Sequence, residues 1–221
     1  DGLKLYPEAE RERRLMPDEM ARFLAAVRAE PDPFGDFYLL LLFTGQRRGN
    51  VQAMRWAQVN LDRAIWTVPA GETKTGREYT VPLVAPAVEI LARRRAGSRG
   101  AVYVFSSYGK AGHIADPKGA WRRVTRAARL EDLRMHDLRR TLGSWMADQQ
   151  ASLPTIGKLL GHRDTQATQI YSRLSLDPVR LAAAKATSAM LATEIVVDKG
   201  TAPTIKSLPS DPAAKGSIPP A

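Results

Sequence analysis

The segment HDLRRT, residues 136–141, places a histidine and an arginine three positions apart. On a helix, positions i and i+3 share one face, with β-carbons about 5–6 Å apart, so His136 and Arg139 would reach one anion. A guanidinium donates to two oxygens of a phosphate, and a neighbouring imidazole donates to a third or transfers a proton. Taken alone, the motif favours a plainer alternative, a histidine that caps or packs a helix end beside a surface arginine.

Three further segments carry residue types that act on phosphates. Arg47 ends TGQR (44–47), Lys74 lies in TKTG (73–76), and His162 ends LGH (160–162), with Tyr171 nine residues later. Each residue also has an ordinary role. Arg47 would be a helix-surface arginine, Lys74 a solvated turn lysine and His162 a loop histidine. Tyr171 would be a packed tyrosine whose hydroxyl is satisfied. The sequence by itself leaves these alternatives open for each segment taken singly.

Charge indicates the kind of partner. The chain has 221 residues, 44% of them hydrophobic, a formal net charge of +10 at pH 7 and a pI of about 10.1. Between residues 93 and 140, thirteen Lys and Arg residues stand against four Asp and Glu residues. A single run such as Arg93-Arg94-Arg95 is typical of a solvated helix face. The concentrated excess predicts an anionic partner, nucleic acid first and an anionic membrane surface second.

Composition also excludes several classes of protein. The sequence contains no cysteine and three histidines, which excludes disulfides and thiolate metal sites and favours no metal centre. No stretch approaches the roughly 18 consecutive apolar residues of a membrane span, and no signal peptide is visible. We therefore expect a cytoplasmic protein that binds no membrane and uses no metal or cofactor.

Hydrophobic periodicity predicts a mainly α fold with a small antiparallel β-sheet (α+β). Pro17 and the spacing of Met20, Phe23, Leu24 and Val27 predict a first helix. A buried helix over 37–45 and a short one over 51–55 follow, then a hairpin of strands 65–68 and 79–83. Further helices are predicted over 85–96, 117–129, 137–149, 154–160, 165–173 and 178–192. Residues 1–14 are expected to form a linker or arm, 15–192 the catalytic domain and 193–221 a disordered tail.

The order and spacing of four motifs resemble those of the tyrosine recombinase (phage integrase) family. The motifs are TGQR, TKTG, HDLRRT and LGH with its downstream tyrosine. The resemblance runs from about Leu15 to Leu191, and four ordered motifs at matching separations are improbable by chance. It implies the catalytic-domain fold of that family and site-specific recombination of DNA. It indicates the integrase of a phage, a prophage or another integrative element.

The resemblance assigns the steps of the reaction to three residues. Tyr171 would attack a backbone phosphorus, forming a 3′-phosphotyrosyl bond and releasing a 5′-hydroxyl. His136 would assist proton transfer with the tyrosine, and Lys74 would protonate the leaving oxygen. Because the phosphotyrosyl bond conserves the energy of the broken bond, rejoining would need no ATP.

Phosphate binding falls, by the same resemblance, to Arg47, Arg139 and His162. The two arginines would bind the nonbridging oxygens, where charge develops in the transition state. The chain departs from the family pattern at Asn50, three places after the first arginine, where an acidic residue is common. An amide exchanges hydrogen bonds but forms no ion pair, so we expect different local support of Arg47.

Double-stranded DNA is the partner that the resemblance implies. Self-association on DNA would use the helix at 178–192, which could equally pack on its own domain. Full-length relatives resemble a clamp with an additional amino-terminal helical domain, for which residues 1–14 leave no room. The chain is therefore expected to correspond to the catalytic domain alone.

Two other functions are compatible with parts of this pattern. A type IB topoisomerase uses similar tyrosine chemistry, although the spacing of the motifs is that of integrases. A non-catalytic DNA-binding module would keep the basic surface and lose the reactive residues, all of which are present here. Replacement of Tyr171 separates these functions, because a module that only binds DNA would be unaffected.

Overall fold

The computed structural model describes residues 12–73 and 76–161, which fall in the first of two units of the chain, Asp1–Val179. Helices dominate this part of the chain, and they are accompanied by a small antiparallel sheet. The helices are α1 (Pro17–Ala29), α2 (Phe34–Thr44), α3 (Arg48–Gln52), α4 (Ala85–Ala96), α5 (Lys118–Ala127), α6 (Asp137–Asp148) and α7 (Leu153–Leu160). The strands are β1 (Val59–Asn60), β2 (Ile65–Val68) and β3 (Tyr79–Pro82).

Helix α2 forms the centre of the core. Its sequence is apolar on nearly every side, and Phe37, Tyr38 and Leu40 are fully buried. It contacts α1, α3, α4 and α6. The hydroxyl of Tyr38 donates to the carbonyl of Pro117 at 2.6 Å, which satisfies its polar group inside the core.

The sheet has the strand order β1-β2-β3, and both pairs are antiparallel. In its register, Trp66 of β2 lies opposite Val59 of β1 and Val81 of β3. Trp66 and Val81 are fully buried, so one face of the sheet packs on the helices. The link between β2 and β3 carries TKTG, of which Thr73 and Gly76 are described.

The mainly α fold, the hairpin and most helix positions are confirmed, with two differences. The short helix predicted over 51–55 was wrong: the helix covers Arg48–Gln52, and Arg55 instead forms a β-bridge with Tyr103. Strand β1 was not predicted, because two residues are too few to show an alternating pattern.

Several predictions lie outside the described residues. They are the helices over 165–173 and 178–192 and the tail over 193–221, so these limits remain predictions. Of the predicted arm, residues 12–14 are described, and there both guanidinium nitrogens Nη1 and Nη2 of Arg13 donate to the carboxylate of Glu19 at 2.7 Å. In the described ranges, no helix is long and apolar enough to cross a membrane.

Candidate active site

Arg47 is placed by a glycine that ends α2. Gly45 has a φ of +63°, in the left-handed region that favours glycine, and an added β-carbon would lie 2.7 Å from Cδ2 of Leu160. The chain therefore turns sharply, and Arg47 adopts an extended conformation immediately before α3. Its Nη1 atom is buried and has no hydrogen-bond partner in the described part of the chain. A buried donor of this kind is costly unless an anion binds it.

Arg139 is held by two backbone carbonyls from distant parts of the chain. It lies in the first turn of α6 and is only 5% exposed. Its Nη1 donates to the carbonyl of Gly45 at 2.8 Å, and its Nη2 donates to the carbonyl of Leu160 at 2.6 Å. These carbonyls stand at the carboxyl ends of α2 and α7, where the helix dipoles favour a cation. The Arg139 guanidinium thus connects the segments TGQR, HDLRRT and LGH by hydrogen bonds.

His136 immediately precedes α6. Burial lowers the pKa of His136, and the charges of Arg139, Arg140 and Arg47 lower it further, while Asp137 raises it. The imidazole therefore favours its neutral form at pH 7, in which one ring nitrogen accepts a proton. Because Arg47 and Arg139 both act on this ring, the structure brings three predicted site residues into one electrostatic environment. We call Arg47, His136 and Arg139 the arginine–histidine cluster.

Arg140, the next residue, has a different environment. Its Nη1 donates to Oδ1 of Asp137 at 3.0 Å, and the Asp137 side chain is almost completely buried. The other carboxylate oxygen of Asp137 accepts from the backbone N–H of Arg134 at 2.8 Å. Arg140 therefore stabilises the start of α6, which fits a structural role.

A buried hydrogen-bond network lies beside Arg47. The hydroxyl of Tyr79 donates to Oε1 of Gln46 at 2.7 Å and accepts from Nδ2 of Asn50 at 3.3 Å. Nε2 of Gln46 in turn donates to the carbonyl of Leu159 at 2.8 Å. The Asn50 amide is thus engaged with a tyrosine from the sheet. The network joins β3, α3 and α7 around Arg47.

Sequence reasoning missed Gln46 and Tyr79 as parts of the site. Gln46 lies inside TGQR, and its position between a turn glycine and an arginine was the available signal. Tyr79 starts strand β3, and Val81, two positions later, is buried. Because side chains alternate between the two faces of a strand, Tyr79 lies on the same face as Val81. Nothing in the sequence pairs two residues that lie 33 positions apart. Burial raises the pKa of the Tyr79 hydroxyl, which favours its neutral, hydrogen-bonding form.

Lys74, His162 and Tyr171 lie outside the described residues, so their roles remain predictions. The structure does describe the backbone that flanks them. Thr73 closes the turn before Lys74, because its hydroxyl donates to the carbonyl of Ala70 at 3.0 Å. Gly161, with a φ of +64°, ends α7 directly before His162, and an added β-carbon there would lie 3.0 Å from the Tyr79 ring. Gly161, the last described residue before His162, therefore lies next to Tyr79 of the network.

The arginine–histidine cluster is suited to bind a tetrahedral anion. Arg139 is held in place by two carbonyls, Arg47 supplies a buried donor, and a neutral imidazole can accept or relay a proton. Donors that are already oriented stabilise developing charge without reorganising during the reaction. Within residues 12–73 and 76–161, no group of three or more His, Asp or Glu side chains could hold a metal ion.

Comparisons with known proteins identify the family of the chain. A model of the phage integrase family matches residues 13–176. The chain is 28% identical over 172 residues to the prophage integrase IntF of Escherichia coli K12, covering 75% of this chain and 36% of IntF. It is 29% identical over 165 residues to the shufflon-specific DNA recombinase of Escherichia coli, covering 74% of this chain and 41% of that protein. The chain thus spans less than half the length of either relative.

A solved structure shows the same fold. The Tn1549 transposon integrase, determined in complex with a circular intermediate DNA, superposes with a TM-score of 0.69 at 16% sequence identity. The match covers 82% of this chain and 68% of that one. The expected fold of a recombinase catalytic domain is therefore confirmed.

Proposed function

The chain belongs to the phage integrase family, and from this premise we propose that it recombines double-stranded DNA at specific sites by breaking and rejoining strands. The observation that carries the proposal is the arginine–histidine cluster, in which Arg139 is fixed by two carbonyls and Arg47 presents a buried donor without a partner among the described residues. This arrangement fits a phosphodiester whose nonbridging oxygens bind both arginines.

In the proposed reaction, the phenolic oxygen of Tyr171 forms a bond to phosphorus as the bond to the 5′-oxygen breaks. The phenol gives up its proton with help from His136, and the leaving 5′-oxygen takes a proton from Lys74. An ordinary phenol, with a pKa of about 10, is a weak nucleophile at neutral pH, so nearby cations and a base are needed. The reverse attack by a 5′-hydroxyl rejoins the strand and frees Tyr171.

A covalent-trapping assay tests this proposal. The chain is incubated in EDTA with a nicked suicide duplex that carries the attachment site of its element, and products are separated on a denaturing gel. We expect a protein–DNA band that is absent in Tyr171→Phe and present in Tyr108→Phe, a matched change at a fully exposed tyrosine. A band that survives Tyr171→Phe would contradict the assignment of the nucleophile. No band, even with an amino-terminal DNA-clamping domain added, would contradict the catalytic function.

The DNA product of the reaction distinguishes recombination from topoisomerase activity. A site-specific recombinase yields exchanged strands between two duplexes that carry the site, whereas a type IB topoisomerase relaxes supercoiled plasmid without exchange. We expect exchange to depend on the site sequence. Relaxation of any plasmid at equal rate would favour the topoisomerase alternative. The proposal places this activity in the cytoplasm.

Self-association on DNA through residues 178–192 is a further part of the proposal. An open apolar groove of about 400 Å³ in the described domain supports it, and a second copy is the proposed occupant. The groove is lined mainly by Phe43, Pro82, Val84, Leu142, Met146 and Leu159. Light scattering on DNA should show a lower mass when residues 176–221 are removed and for Val84→Asp, at a position that is 50% exposed. Unchanged mass in both would indicate that 178–192 packs on its own domain.

A further inference from the structure

A second cationic site lies next to the arginine–histidine cluster. An open depression of about 500 Å³ has Arg48, Lys118 and Arg134 on its rim and His136 at one side. The three cations come from different parts of the fold: Arg48 begins α3, Lys118 begins α5, and Arg134 lies before α6. We call this feature the cationic depression. Among the residues that the structure describes, no acidic residue lines it.

The rim of the cationic depression retains its charge. Within the described ranges, the side chains of Arg48, Lys118 and Arg134 make no hydrogen bond or ion pair, and all three are exposed. At the start of α5, Oδ1 of Asp116 accepts from the backbone N–H of Lys118 at 3.0 Å. One backbone N–H at the start of α5 is therefore already occupied, and the side chains of Arg48, Lys118 and Arg134 are the groups that we expect to meet an anion.

The floor of the depression is apolar and rigid. Trp121, Leu133 and Met135 form it, and Trp121 and Leu133 are each 7% exposed. Nε1 of Trp121 donates to the carbonyl of Leu133 at 3.0 Å, which fixes the ring. Cations around an apolar floor match a nucleotide backbone, whose phosphates are anionic and whose sugar carbons are apolar.

Given the proposed function, the cluster and the depression share His136 and so face the same strand. A DNA duplex carries a phosphate on each strand about every 3.4 Å along its axis. We propose that Arg48, Lys118 and Arg134 bind the DNA backbone next to the scissile phosphate. This contact sets which phosphate of the strand reaches Arg47 and Arg139. None of the three residues belongs to the motifs that perform the chemistry, so this inference rests on the proposed function and extends it.

Salt dependence of DNA binding tests the proposal. The full 221-residue chain and the variants Arg48→Gln, Lys118→Gln and Arg134→Gln, singly and combined, are titrated against a labelled random-sequence duplex at several salt concentrations. Arg63→Gln is the matched control, because Arg63 is exposed, lies in the turn between β1 and β2 and is outside the depression. Thermal melting of every variant shows whether it remains folded.

Each lost phosphate contact should reduce the slope of log affinity against log salt by about 0.9. We expect the slope of the triple variant to fall by about three times this amount. The slope of Arg63→Gln should be unchanged. Folded variants with the slope of Arg63→Gln would overturn the inference while leaving the proposed function intact. In the trapping assay on a cleavable site, the triple variant should also spread cleavage to neighbouring phosphates or reduce it at least tenfold. Absence of binding and of trapping by the unaltered chain would instead reject the proposed function itself.

Discussion

The basic residues of α4 and those of the arginine–histidine cluster are used in opposite ways. On α4, Arg93 pairs with Asp36, and Arg94 pairs with Asp36 and Asp32. The guanidinium of Arg94 also lies 4.7 Å from the centre of the Phe105 ring. These charges attach α4 to the start of α2, and their field is largely cancelled by neighbouring carboxylates.

In the cluster, two neutral backbone carbonyls accept hydrogen bonds from the Arg139 guanidinium. Nη1 of Arg47 has no partner in the described residues. The buried Nη1 donor of Arg47 is therefore available to an anion as far as the described residues show. The comparison teaches that a count of Lys and Arg over 93–140 overstates the field, since part of that charge serves folding.

The largest effect should come from Arg139, which serves both structure and chemistry. We expect Arg139→Ala to abolish covalent trapping and to lower the free energy of unfolding by about 2–4 kcal/mol, because two buried carbonyls lose their donor. Urea unfolding measures the stability and the suicide duplex measures the activity. Stability within about 0.5 kcal/mol of the parent would show that the two hydrogen bonds are not retained in solution.

Replacement of Arg47 should reduce the cleavage rate with little change in the free energy of unfolding. Arg47→Ala is expected to reduce the single-turnover cleavage rate by about 10²–10³. The free energy of unfolding should change by less than about 1 kcal/mol, because the Nη1 atom has no partner to lose among the described residues. A loss of stability equal to that of Arg139→Ala would indicate that Arg47 is a structural residue.

Tyr79 tests the network that supports the cluster. Tyr79→Phe removes the donor to Gln46 and should cost about 1–2 kcal/mol of unfolding free energy. Tyr108→Phe, at a fully exposed position, is the control and should cost nothing measurable. Equal stabilities for the two variants would mean that water replaces the Tyr79 hydroxyl.

A smaller effect should appear in the pH dependence of stability. The pKa of His136 is lowered from its ordinary value of 6.5 by burial first and by nearby arginines next. The unfolded chain therefore binds the proton more tightly, and stability falls as pH drops from above 6.5 through the folded-state pKa. Urea unfolding between about pH 5 and pH 7.5 should show a smaller decrease for His136→Gln. A parallel decrease in both proteins would assign the titration to other groups.

The smallest effect should come from α4. Arg93→Gln is expected to change the free energy of unfolding by no more than about 1 kcal/mol, since the pair is exposed and Arg94 still contacts Asp36 at 3.1 Å. The salt dependence of DNA binding should also be unchanged. A reduced slope for this variant would break the comparison, because it would show that α4 contacts DNA.

Local signals in the sequence were sufficient for most elements. An apolar run that ends in glycine predicts the end of α2, because only glycine adopts the required φ without strain. Period-two alternation on both sides of a turn predicts β2 and β3. The ordered motifs predict Arg47, His136 and Arg139 as one site, and the structure places them in one electrostatic environment.

Only the tertiary structure decided how that site is held. The sequence gives no sign that Arg139 donates to carbonyls 94 and 21 positions away, or that Tyr79 joins Gln46 to Asn50. The physical reason is that every residue carries the same backbone carbonyl, so an acceptor of this kind has no side-chain signature. Helix and strand formation depend on neighbours within a few residues, whereas the orientation of a buried guanidinium depends on which helix ends the fold brings to it.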